Sequence, residues 1–86
     1  MYEFTIIVPV YNEEDNLNRV EKELLAYTKI AIKKTAILFV NDGSLDASLA
    51  MIEAICDRNE AFGYISFKNN KGLSAAIKAG FDHVFT

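Results

Sequence analysis

The sequence predicts an α/β domain of three layers, ordered β-α-β-α-β-α, around a parallel sheet with strand order 3-2-1. Three observations carry that expectation. Three short runs are almost wholly apolar, without the polar alternation of a strand that has one wet face. After each run the apolar residues recur three and four apart, the period of a helix. Each run also ends in a cluster drawn from Asn, Asp, Glu, Lys and Gly, where a chain turns.

The first run, Phe4–Val10 (FTIIVPV), reads as a strand buried on both faces. Pro9 lacks an N–H donor and belongs at the strand's end. Residues 11–16 (YNEEDN) form a polar turn. Asn12 can cap a helix there, and the acids beside it suit the positive end of the helix dipole. From Leu17, the residues Leu17, Val20, Leu24 and Tyr27 make one helical stripe. Residues 35–40 (TAILFV) give the second strand, and 41–44 (NDGS) a turn. Ser44 or Asp46 is expected to cap a second helix, with Leu49, Ile52, Ile55 and Cys56 on its core face. Residues 63–67 (GYISF) form a third, shorter strand, and 68–72 (KNNKG) a polar loop. Leu73, Ala76, Ile77, Gly80, Phe81 and Val84 then mark the stripe of a third helix. Right-handed crossovers put the first two helices on one face and the third on the other. Strand one is left as an edge, although a larger sheet of this order would make it central. A long apolar edge invites pairing with another chain, so self-association through it is expected.

Composition narrows the function classes. The 86 residues suffice for one small domain, and 51% hydrophobic content excludes a disordered chain. Nine scattered basic residues against twelve acidic ones give a net charge of −3, with no footprint for nucleic acid or an anionic membrane surface. The single cysteine, Cys56, allows no intrachain disulfide and reads as a small core residue. The start lacks the pattern of a signal peptide. The longest apolar run, 6–11, falls far short of the roughly 20 residues of a membrane-spanning helix. The expected location is the cytoplasm.

In open parallel sheets, ligands sit beyond the carboxyl ends of the strands. The segments there are 9–14, 41–46 and 68–74. In the first, Tyr11 offers an aromatic face and a hydroxyl, and Glu13 a carboxylate able to accept from ribose hydroxyls; the same residues also fit a plain helix start. In the second, Asp42 can accept the ring N–H of a base, while Asp42, Gly43 and Ser44 also fit an ordinary capped turn. In the third, Asn69, Asn70 and Lys71 precede Gly72 and a helix N-terminus, which suits either a diphosphate or an exposed loop. Neither G-x-G-x-x-G nor G-x-x-x-x-G-K-[ST] occurs. His83 lies far from these loops, and no His and Cys pattern has metal-ligand spacing.

Jointly the loops say more. Ile7-Val8-Pro9-Val10-Tyr11-Asn12-Glu13-Glu14, Val40-Asn41-Asp42-Gly43-Ser44-Leu45-Asp46 and the stretch from Asn70 to Gly80 (NKGLSAAIKAG) resemble the family-two glycosyltransferases of the GT-A fold. The resemblance spans essentially the whole chain. The opening YNEEDNL looks like that of the polyprenyl-phosphate sugar transferases, the dolichyl-phosphate mannose synthase-like subgroup. It implies a parent protein that transfers a sugar from a nucleoside-diphosphate-sugar donor, with UDP or GDP as the nucleotide, to an acceptor. This chain would supply the base and ribose pocket. Pro9 and Tyr11 would line that pocket, Glu13 would lie near ribose or base, Asp42 would bind the base, and Lys71 would be a candidate for phosphate contact. The arginine that family members often carry near position 69 is missing.

The resemblance further implies a divalent cation, Mg or Mn, for the full-length parent. It would be held by an Asp-x-Asp motif after a fourth strand, with a later carboxylate as base in inverting members. Neither lies within these 86 residues. The chain is therefore expected to lack the metal site, to contain no catalytic residue, and to be inactive alone: residues 1–86 would be a nucleotide-binding half, cut before the acceptor half and any membrane-associated part. Two alternatives stand beside this reading. One is a stand-alone nucleotide-binding module without catalysis. The other is a receiver-like regulatory domain, which would need an aspartate ending strand three and a lysine after a fifth strand. Strand three instead runs into Phe67-Lys68-Asn69.

Overall fold

The computed structural model describes residues 2–85. The chain ends, Met1 and Thr86, which entered the reading of the start and of the cut, lie outside them. The elements follow in the expected order: β1 (Phe4–Val10), α1 (Leu17–Ile30), β2 (Thr35–Asp42), α2 (Ser48–Asp57), β3 (Phe62–Phe67) and α3 (Leu73–Phe85). The three strands are parallel, with β2 in the centre. This is the expected 3-2-1 sheet.

Register explains the layering. Ile6, Val8 and Val10 pair with Ile37, Phe39 and Asn41, which pair in turn with Phe62, Tyr64 and Ser66. That face receives α1 and α2: Leu17 from α1 and Ile52 and Ile55 from α2 join Val10, Ile37, Phe39 and Phe62 in one buried cluster. Phe39 is fully buried and sits 6.0 Å from the Phe62 ring, centroid to centroid. Burying a side chain of this size contributes about 2 kcal/mol or more. The opposite face receives α3, which approaches through its small residues. Ala76 is buried, and a Cβ placed on Gly80 would stand 2.7 Å from Ile7 Cγ2.

Several local expectations fail, each for a physical reason. Asn41 and Asp42 are not turn residues. They end β2, because the ladder to β3 continues through Asn41↔Ser66 and Asp42↔Phe67. Asn12 does not cap α1, which starts at Leu17 after an Asn16 that makes no side-chain cap hydrogen bond. Asn12 instead lies in the left-handed region, φ 53°, and is engaged elsewhere. Ser44 is likewise engaged elsewhere, while Asp46 Oδ1 accepts the Ser48 N–H at 2.8 Å and satisfies the start of α2. β1 is not buried on both faces: as an edge strand it is half-covered, and only Val10 is fully buried. Of the α3 stripe, only Ala76 and Gly80 are buried; Leu73, Ile77, Phe81 and Val84 are exposed, and Leu73, Ile77 and Phe81 run on into Phe85 as a ridge at four-residue spacing. On α2, Cys56 is half-buried, and burial, then the neighbouring Asp57 charge, pushes its thiol up.

Candidate functional site

Asp42 joins the second and third loops. As the last residue of β2 it turns its side chain to the α3 face, opposite Asn41. Its Oδ1 accepts the Lys71 N–H at 2.7 Å. Its Oδ2 accepts the Gly72 N–H at 2.9 Å and the Asn70 side-chain amide at 3.0 Å. A carboxylate has about four acceptor positions, so about one remains. The residue is 4% exposed. Gly43 makes this closeness possible. Its φ is +67°, and a Cβ there would collide with the backbone of Asn69 and Asn70.

The first loop is tied to the second by side chains. The Asn12 N–H donates to Ser44 Oγ (3.0 Å), the Glu13 N–H to Ser48 Oγ (2.8 Å) and the Glu14 N–H to Asp46 Oδ2 (3.2 Å). In return Asn12 Oδ1 accepts the Leu45 N–H at 2.8 Å. Desolvation works to raise the Asp46 carboxyl, but hydrogen bonds from Ser48 and Glu14 outweigh it and hold it below the usual aspartate value.

Beyond the carboxyl ends of β1 and β2 lies an open pocket of about 270 Å³. Pro9, Val10 and Tyr11 line one side, Asn70, Gly72, Leu73 and Ala76 the other, with Asp42 between. Of the residues singled out from sequence, Pro9, Tyr11 and Asp42 meet here. Glu13 and Lys71 do not line the pocket. The Glu13 side chain is exposed on the loop, and the Lys71 ammonium stands 4.8 Å from the Phe67 ring centroid, at β3. Sequence reading missed Ala76 as a lining residue, having placed it in a core stripe; Leu73 fell both in that stripe and in the loop segment 68–74. It also missed Ser48, whose signal was its spacing of two and four residues from Asp46 and Ser44.

The pocket combines an aromatic side chain, a proline, a nearly buried carboxylate and the loop that opens α3, with its Asn70 amide. Such a set can sandwich a flat ring and accept a hydrogen bond from its edge. Among the described residues no group of three or more His, Cys, Asp or Glu gathers to hold a metal ion. No described helix is long and apolar enough to cross a membrane.

In an open parallel α/β sheet, ligands bind beyond the carboxyl ends of the strands, where this pocket lies. The chain belongs to glycosyl transferase family 2, whose model matches residues 5–86. It is 40% identical over 80 residues to CsbB of Bacillus subtilis, covering 93% of this chain and 24% of that protein. It is 34% identical to the dolichol-phosphate mannosyltransferase of Saccharomyces cerevisiae, covering 92% of this chain and 30% of that protein. Among solved structures, the mannosyltransferase PcManGT of Pyrobaculum calidifontis, in complex with GDP-Man and Mn²⁺, superposes with a TM-score of 0.79 at 18% identity. The match covers 95% of this chain and 24% of that one, and it establishes the GT-A fold. The chain thus spans between a quarter and a third of the length of these relatives.

Proposed function

We propose that this chain forms the nucleotide-binding part of a glycosyltransferase that draws its sugar from a nucleoside diphosphate donor. The observation that carries the proposal is the pocket that brings Pro9, Tyr11 and Asp42 together at the strand ends. Pro9 and Tyr11 are the walls against the base. Asp42 gives the acceptor position not taken by loop three to the ring N–H of uracil or guanine. Glu13, exposed on loop one, serves the ribose hydroxyls, and Lys71 serves the diphosphate after swinging off Phe67. Relatives at the family level support a polyprenyl-phosphate acceptor, as the name of the yeast protein describes for itself. The solved neighbour's GDP-Man and Mn²⁺ support a guanine nucleotide and a divalent cation, Mg or Mn. The cation and the acceptor side belong to the reading of a whole protein, and this chain spans about a quarter of its relatives' length. The 86 residues alone bind nucleotide without transferring sugar.

Titrating UDP and GDP into the chain tests this reading. Binding by the wild type and its loss in Asp42→Ala are the expected results. Absence of binding by the wild type refutes it. Sugar transfer by these 86 residues alone would refute the division of labour. The proposal includes self-association in solution, supported by the open edge of β1 and the apolar ridge of α3.

A further inference from the structure

Loop one carries three consecutive amides, at Asn12, Glu13 and Glu14, for which the sheet has no partner: the pairing of β1 ends at Val10↔Asn41. Water could take these donors on an exposed loop, so protein partners that take all three mark a built arrangement. All three are taken by side chains from one short segment, Ser44, Ser48 and Asp46 in turn. These acceptors alternate along the chain, turned inward, while Leu45 and Ala47 between them are exposed. Asn12 closes the set by accepting the Leu45 N–H, and its left-handed φ of 53° turns the chain immediately after Tyr11.

We propose that Ser44, Asp46 and Ser48 are positioning residues which, with Asn12, hold loop one so that Tyr11 forms a wall of the donor pocket. None of the four lines that pocket. The inference rests on the nucleotide-binding reading above and names what organises that site. Val10 fixes the chain on one side of Tyr11 through the sheet, and the clamped Asn12 fixes it on the other. Released from the clamp, loop one spends less time in the binding geometry, and apparent affinity falls by that fraction.

The test is calorimetric titration of UDP and GDP into the 86-residue chain and four variants, with thermal melting of each. Ser44→Ala and Ser48→Ala should each weaken nucleotide binding roughly five- to tenfold, the loss of one net hydrogen bond. Asn12→Ala removes the acceptor for the Leu45 N–H and places alanine in the left-handed region, and should weaken binding at least as much as either serine variant. Glu21→Gln, whose side chain bonds Arg58 and Asn59 and none of the loop residues, should lower the melting temperature and leave affinity unchanged. Wild-type affinity in folded Ser44→Ala and Ser48→Ala overturns the proposal. An equal loss in Glu21→Gln also overturns it, since the effect would then follow general stability. If the wild type binds neither nucleotide, the reading of the pocket falls, and amide hydrogen exchange judges the clamp separately. Protection at residues 12–14 that vanishes in the two serine variants upholds it; unchanged exchange overturns it.

Discussion

At Gly43 two constraints fall on one residue. Its φ of +67° is open to glycine at little cost, and its missing side chain lets the backbone of Asn69 and Asn70 pass against it. Alanine there incurs about 1 kcal/mol for the left-handed backbone and more for displacing loop three. We expect Gly43→Ala to lose about 2 kcal/mol or more in urea denaturation, and to bind nucleotide more weakly than its residual folded fraction explains. The sequence made Gly43 visible as a turn residue, and Asp42 as an acceptor at a strand's end. It did not show that Asp42 is largely occupied by Lys71, Gly72 and Asn70. Those partners lie 28 to 30 residues away, and no local pattern announces them.

At the scale of elements, α1 and α2 are joined by an ionic link that sequence reading missed. Glu21, 8% exposed on α1, accepts Arg58 Nη2 at 2.6 Å and Arg58 Nε at 2.9 Å, in a two-pronged pair, and Asn59 Nδ2 at 2.7 Å. The Arg58 guanidinium holds the Glu21 carboxyl below its ordinary value; burial opposes this and Asn59 assists. A carboxyl depressed in the folded state adds stability above its unfolded pKa, and that stability is lost as pH falls through the folded value. Thermal melts should therefore show stability falling from the ordinary carboxylate range downward. In Glu21→Gln this acid dependence should be reduced, with about 1 kcal/mol lost near neutral pH, modest because Arg58 is half-exposed. Glu21 was illegible because a lone acid on a polar helix face resembles any solvated one. The strands were legible, because a parallel sheet covered on both faces needs continuous apolar runs. The capping roles of Asn12 and Ser44 were not, because both are good caps by type and were recruited by each other's loops instead.

The whole molecule is a three-stranded slab, 35 × 29 × 18 Å, with unequal faces. One side is closed by α1 and α2. The other carries α3, whose inner side is small and whose outer ridge of Leu73, Ile77, Phe81 and Phe85 meets solvent, the last two rings 4.6 Å apart. Beside it lies the unpaired edge of β1. Exposed apolar stretches of this kind mark surfaces that other chain covers. Light scattering at rising concentration should give a mass above that of the monomer. Ile77→Lys combined with Phe81→Glu should restore the monomer without altering nucleotide binding. A monomer at every concentration would refute self-association. The order of elements, the sheet and its edge were all readable from hydrophobic period. The exposed ridge was not, because periodicity locates an apolar stripe without saying what covers it.

The alternation of inward and outward residues from Ser44 to Ser48 also bears on how this segment can vary. Leu45 is 87% exposed and Ala47 is exposed, so their side chains are open to replacement, provided position 45 keeps its N–H. Length is another matter. One residue inserted or deleted between Ser44 and Ser48 shifts every later acceptor to the wrong side of the backbone. A surface turn that looks permissive by exposure is thus a fixed-length spacer, open to drift in chemistry and closed to insertions.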